Sequence, residues 1–233
     1  MSHLTNLQSR MKAGEVEAVL VSSEINQRYL TGLNYTDGYV LVLPEAAYLL
    51  ADFRYIEVAR ATAGSVGVEV VMPEGGMEAG SLFVRPFPIS HDCREGFGYV
   101  VELPGERRVA VATDMGVMTD AVMQAISGCD LVVLESNHDV RMLENGPYPY
   151  PLKRRILSDR GHLSNDACAC VLEQLVSRGS TRFCLAHLSK ENNNPYLARQ
   201  TAVAALSELG AREGRDYALQ VAEPVCSAPV TVF

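Results

Sequence analysis

Four apolar runs in this sequence each end in a histidine or an acid. They are Pro88-Ile89-Ser90-His91-Asp92, Val111-Ala112-Thr113-Asp114, Leu134-Glu135-Ser136-Asn137-His138-Asp139 and Leu185-Ala186-His187-Leu188-Ser189. A fifth candidate, Gly161-His162-Leu163-Ser164, stands just before a helical stretch, and His3 is the only histidine outside these places. In α/β folds the ends of strands line one edge of the sheet, where ligands and catalytic groups converge. Imidazole nitrogens and carboxylate oxygens are the expected ligands of catalytic Zn²⁺ or Mn²⁺, and a carboxylate can bridge two ions that hold a hydroxide nucleophile. Each residue also has a plain structural reading: a strand-end histidine is commonly just hydrogen-bonded, Asp114 before Met115-Gly116 can cap a helix, and His138-Asp139 can orient a turn. Spacing alone leaves both readings open.

Close to His162 stand two tyrosines and four cations: Tyr148, Tyr150, Lys153, Arg154, Arg155 and Arg160. Such a patch can contact substrate phosphates, with the tyrosines stacking on bases, or it can be a solvated helix behind a proline-rich entry.

The elements that must position these residues alternate between strand and helix, which predicts an α/β fold. Ala18–Ser22, Tyr39–Leu43 and Ala47–Ala51 read as strands, the last two as a hairpin across Pro44 and Glu45. Tyr55–Ala63 has helical character and Val66–Met72 reads as another strand. The Gly- and Pro-rich Met72–Gly80 stretch is the joint. Beyond it, Leu82–Phe87, Tyr99–Leu103 and Val109–Ala112 read as strands, with a hairpin signal at Pro104–Arg108. Thr119 can cap a helix through Ile126, and Leu131–Leu134 is a buried-strand run. Ser164 can cap a helix to about Ser177, Phe183–Ala186 is a strand, and Asn194-Pro195 opens a helix that stops at Gly210.

Composition narrows the function classes. A net charge of -8 argues against general nucleic-acid affinity, so any such affinity must come from the local basic patch. Met1–Arg10 is polar, unlike a signal peptide, and no apolar run nears the ~20 residues that span a bilayer. The six cysteines are then expected to be reduced thiols in a cytoplasmic protein that takes no membrane partner. Cys168 and Cys170, two apart in a helix, point to different faces and suit burial better than a shared metal.

Two resemblances add to this reading. Residues 1–77, through Tyr29-Leu30-Thr31-Gly32, Asp52-Phe53-Arg54-Tyr55 and the amphipathic Leu7–Ala18, resemble part of the creatinase/prolidase N-terminal domain. That family's dinuclear metal site lies in a catalytic domain of which no trace is found here, so this part implies no peptidase activity.

Residues 78–233 resemble the C-terminal half of the metallo-β-lactamase-fold phosphodiesterases, most closely the YycJ/WalJ-type exonucleases. The carrying residues are Ser90-His91-Asp92, Gly98-Tyr99, Ala112-Thr113-Asp114, Leu134–Asp139, Asn145-Gly146-Pro147-Tyr148-Pro149, Gly161–Asn165, and Leu185–Ser189 with Glu191-Asn192-Asn193. The implied fold is a partial creatinase-like α/β domain joined to the second half of an αβ/βα sandwich. The resemblance implies a metal-dependent hydrolase of phosphodiester bonds in DNA or RNA, with two Zn or Mn ions in the complete family. His91 would then serve one metal, Asp114 would bridge, His187 would serve the other, and His162 would act at the scissile phosphate. Asn137, His138 and Asp139 match an active-site stretch without individual roles, and Lys153, Arg154 and Arg155 would be phosphate contacts.

The family's defining His-x-His-x-Asp-His motif has no counterpart before His91. Three of the usual ligands remain, below the three per ion typical of catalytic zinc, so partial or no metal binding is expected. Half a sandwich also leaves an apolar sheet face to cover, for which a homo-oligomer is one solution. The alternative reading is a non-catalytic binding or interaction module, or a product of fusion or truncation.

Overall fold

The computed structural model describes residues 2–21, 23–32, 38–51, 69–71, 75–79, 81–93 and 96–222. The chain divides into two compact units, Met1–Gly80 and Ser81–Phe233. The Asp52–Tyr55 motif and the helical reading of Tyr55–Ala63 lie outside the described residues.

In the first unit α1 (His3–Ala13) starts at Ser2, whose hydroxyl accepts from Thr5 N, and leads to β1 (Val19–Val21) and α2 (Glu24–Thr31). Strands β2 (Gly38–Val42) and β3 (Ala47–Ala51) form the expected hairpin, antiparallel from Val42↔Ala47 to Gly38↔Ala51. The fourth strand, β4 (Glu69–Val71), runs parallel to β3, giving the sheet order β1-β2-β3-β4. Leu4 and Met11, seven residues apart and so on one helix face, pack on Val21, Val40, Val42, Ala47 and Leu49. Gln8 ties α1 to the hairpin turn by donating to the carbonyls of Leu43 and Ala46.

After β5 (Met77–Ala79), the second unit comprises β6 (Leu82–Ile89), β7 (Gly96–Leu103), β8 (Arg107–Ala112), α3 (Asp120–Ile126), β9 (Leu131–Glu135), α4 (Val140–Asn145), α5 (Tyr150–Ile156), α6 (Asn165–Ser177), β10 (Arg182–Ala186), α7 (Pro195–Glu208) and β11 (Ala218–Val221). The seven-stranded sheet has the order β11-β10-β9-β8-β7-β6-β5. The pairs β6–β7 and β7–β8 are antiparallel, whereas β8–β9, β9–β10 and β10–β11 are parallel. Parallel neighbours need crossover helices, and α3, α6 and α7 lie within those crossovers.

Each crossover helix begins where the sequence places a cap: Thr119, Ser164 and Asn194 accept from the backbone N–H groups of Val122, Ala167 and Leu197. The row Val100, Ala110, Val132, Phe183, Leu219 crosses five strands in register and is buried against Val122, Ile126, Leu172, Leu175, Ala198 and Ala202. Burying each Val, Leu, Ile or Phe stabilises the fold by roughly 1.5–3 kcal/mol. Along α6 the buried residues Cys168, Ala169, Val171, Leu172 and Leu175 keep the helical period, while Cys170 is exposed. On the other face of the sheet Leu82, Val84, Tyr99, Val101 and Val111 are buried as well.

Candidate metal centre

Parallel pairing brings the C-terminal ends of β8, β9 and β10 to one edge of the sheet, and the register fixes who meets whom. Ala112 pairs with Leu134, Leu134 with Leu185, and Glu135 with Ala186. Glu135 thus closes the middle strand, with Asp114 and His187 just beyond the ends of the flanking strands. Both of these take a left-handed backbone, Asp114 at φ 59 and His187 at φ 58. Left-handed geometry costs an ordinary L-residue roughly 1–2 kcal/mol, and such positions cluster where side chains must be aimed.

One ligand atom from each of Asp114, Glu135, His162 and His187 lies within 4.8 Å of the others. Glu135 is fully buried and organises the group. Its Oε1 accepts from Nδ1 of His162 at 2.8 Å and from Nδ1 of His187 at 2.7 Å. Its Oε2 accepts from the backbone N–H of Met115 at 2.8 Å and of Leu163 at 3.4 Å. Burial pushes the Glu135 carboxyl up, but the bonds from His162 and His187 hold it down at about 2. An ionised carboxylate only accepts, so Nδ1 of each imidazole carries a proton, which leaves Nε2 as the nitrogen each ring can present. His187 Nε2 stands 3.6 Å from Asp114 Oδ1.

His91 lies outside this four-residue group but beside it, its ring centroid 5.2 Å from that of His162; His162 is 5.3 Å from His187. Both nitrogens of His91 are engaged, Nδ1 with the Gly161 carbonyl at 3.2 Å and Nε2 with Asp92 Oδ1 at 3.3 Å. Asp92 also accepts from Arg155 Nε, and chiefly this bond holds its carboxyl below the usual range.

The other sequence candidates divide into supports and caps. Asn137 donates to the His187 carbonyl, and its backbone N–H donates to the Leu163 carbonyl, so it braces the two histidine loops. Asn193 donates to the carbonyls of Ser136 and Asn137 and exchanges amide bonds with buried Asn165. Asp139 caps α4 by accepting from Met142 N and is not among the four clustered residues. His138 is 1% exposed, and neither ring nitrogen has a hydrogen-bond partner among the described residues. Burial depresses its pKa to about 4.

Lys153 donates to the carbonyls of Glu144 and Gly146, Arg155 to Asp92, and Arg160 to the carbonyls of His91 and Cys93. These cations of the expected phosphate patch thus have partners in the chain, while Arg154 is exposed. Glu135 is the residue that sequence reading left without a role. Its signal was a lone acid closing Leu131-Val132-Val133-Leu134, an apolar run whose middle position in the sheet makes burial certain once the register is known.

The donor set of two imidazoles and carboxylate oxygens suits a divalent cation, and the Glu135 bonds match the way ligating histidines are held through their second nitrogen.

The creatinase/prolidase N-terminal domain family matches residues 3–143, more than half of the chain. The matched span runs past Gly80 into β6–β9, which pair in register within the seven-stranded sheet. An exodeoxyribonuclease YycJ of Bacillus anthracis is 37% identical over 145 residues, 62% of this chain and 54% of that protein. An exodeoxyribonuclease WalJ of Streptococcus pneumoniae is 33% identical over 152 residues, 65% of this chain and 56% of its own length. The chain spans little more than half the length of these relatives. A metallo-β-lactamase fold protein, YhfI of Bacillus subtilis, superposes with a TM-score of 0.56 at 12% identity over 83% of this chain and 91% of its own. The α/β fold and both resemblances read from the residues are thereby upheld. No helix among the described residues is long and apolar enough to cross a membrane.

Proposed function

Since the chain belongs to the creatinase/prolidase N-terminal domain family and carries its candidate site on a sheet of metallo-β-lactamase fold, we propose that its chemistry is metal-dependent phosphodiester hydrolysis of exonuclease type. The supporting observation is the double acceptance by Glu135 Oε1, which holds both imidazoles beside Asp114: His187 Nε2 stands 3.6 Å and His162 Nδ1 4.0 Å from Asp114 Oδ1. In this reading Asp114 and His187 would hold a Zn or Mn ion, and His91 with Asp114 would serve a second. Bound there, such a cation supplies Lewis-acid polarisation of a phosphoryl oxygen.

The chain's own residues do the rest. His162, its Nδ1–H fixed by Glu135, presents Nε2 as the proton-transfer atom; as imidazolium it donates to the leaving oxygen of the scissile ester. Asn137 keeps the His187 and Leu163 loops in register during turnover. Arg154, with Tyr150 at 71% exposure, is available to a DNA or RNA strand.

The test is degradation of end-labelled single- and double-stranded DNA and of RNA with Mn²⁺ or Zn²⁺. Turnover lost in His187→Ala and His162→Ala supports the reading. Intact substrate under all conditions, or turnover unchanged in both variants, refutes it.

A second reading, a nucleic-acid or phosphate-binding module without turnover, is favoured by one observation: both nitrogens of His91 are engaged by Gly161 and Asp92. Retention of labelled DNA without any product would select it.

A further inference from the structure

The loop after β6 is fastened to the segment between α5 and α6 by a run of contacts. Ser90 Oγ donates to the Asp159 carbonyl at 2.7 Å, and Gly116 N donates to the Ser90 carbonyl at 2.9 Å. His91 Nδ1 meets the Gly161 carbonyl at 3.2 Å. Arg160 reaches back to the carbonyls of His91 and Cys93, at 3.1 and 3.4 Å. Arg155 Nε grips Asp92 Oδ2, while the other oxygen of Asp92 lies 3.3 Å from His91 Nε2. The same segment is packed closely at two glycines: a Cβ on Gly116 would stand 2.4 Å from Asp159 C, and one on Gly161 would stand 2.1 Å from Ile156 O.

We propose that Arg155 is a positioning residue for His91, acting through Asp92, and not a contact for the substrate phosphate. The inference deepens the proposed function, since it concerns the histidine expected to serve one metal. A guanidinium whose Nε is committed to a carboxylate offers a phosphate only its remaining edge, and an anion arriving there competes with Asp92. The pair is too exposed to matter much for stability, with side-chain exposures of 58% and 31%. What it supplies is direction. Without Arg155 the Asp92 carboxylate can turn to solvent, and His91 then keeps Gly161 as its one fixed partner.

The experiment uses the metal-free full chain labelled with ¹⁵N, and records the histidine ring nitrogen resonances at one pH in wild type, Arg155→Gln, Arg155→Lys and Asp92→Asn. The expected result is a shift of the His91 ring signals in Arg155→Gln and Asp92→Asn, with His187 unmoved and partial return in Arg155→Lys. Inorganic phosphate, titrated into wild type and Arg155→Gln, should bind both equally. Unmoved His91 signals in Arg155→Gln, or a tenfold loss of phosphate affinity in that variant, overturns the proposal. Unmoved His187 also reports that each variant is folded. The measurement needs neither metal nor turnover, so a chain without nuclease activity that still shows the shift would lose the proposed function and keep this inference.

Discussion

His187 Nε2 lies 3.6 Å from Asp114 Oδ1, and both residues reach that position from a left-handed backbone just beyond a parallel strand. Such a backbone accepts Asn readily and a β-branched residue badly. Asp114→Asn should therefore leave unfolding free energy within about 0.5 kcal/mol of wild type, while tightly bound Zn or Mn falls sharply. Asp114→Val should lose at least ~1 kcal/mol of stability as well. Urea unfolding alongside elemental analysis checks both; equal stabilities for the two variants would remove the argument from backbone strain.

Glu135→Gln keeps the shape and removes one acceptor. A carboxylate serves two imidazole N–H groups on one oxygen and two backbone N–H groups on the other, whereas an amide must turn its NH₂ toward one of these pairs. Each donor left unpaired in the interior costs ~1–3 kcal/mol. Metal affinity should fall about 10–100-fold, the usual loss when the group behind a ligating histidine is removed. Titration calorimetry with Mn²⁺ measures it, and an unchanged dissociation constant would show that Glu135 does not orient the ligands.

Acid should weaken the fold through His138. Its folded pKa is depressed from 6.5 to about 4 because it is buried. Between those values the unfolded chain binds the extra proton and the folded one does not, so stability is full above pH 6.5 and declines as pH falls toward 4. The loss amounts to about 3 kcal/mol across that window. Urea midpoints at pH 7 and pH 5 should differ less in His138→Gln than in wild type; parallel shifts would assign the acid sensitivity elsewhere.

Gly161→Ala tests the close approach that seats His162. The new Cβ would stand 2.1 Å from Ile156 O and 2.3 Å from Arg155 O, both backbone atoms that cannot swing aside. Overpacking of this kind costs ~1–3 kcal/mol. The expected signature is a lower urea midpoint at unchanged slope, and wild-type stability in this variant would mean that the loop gives way freely.

The sequence made the secondary elements legible because their signals are local. Caps at Thr119, Ser164 and Asn194, and the hairpin turn at Pro44–Glu45, operate within a few residues, and the structure has them where the sequence puts them. Strand ends carrying Asp114 and His187 were legible for the same reason. Glu135 was harder to read, since its importance comes from tertiary burial and from two imidazoles that reach it across the sheet edge. The basic patch is the converse case. Charge density in a sequence says nothing of carbonyls and carboxylates brought up by the fold, and Lys153, Arg155 and Arg160 each meet such partners.

Because one oxygen of Glu135 receives both imidazole N–H groups, the two histidine positions are epistatic. Replacing His187 hands that oxygen wholly to His162, tightening and reorienting the very ring whose freedom to pass a proton is at stake. The effect of a change at either position therefore depends on what occupies the other, and the double variant should depart from the sum of the singles. Substitutions accumulating in such a site are constrained in order as well as in kind.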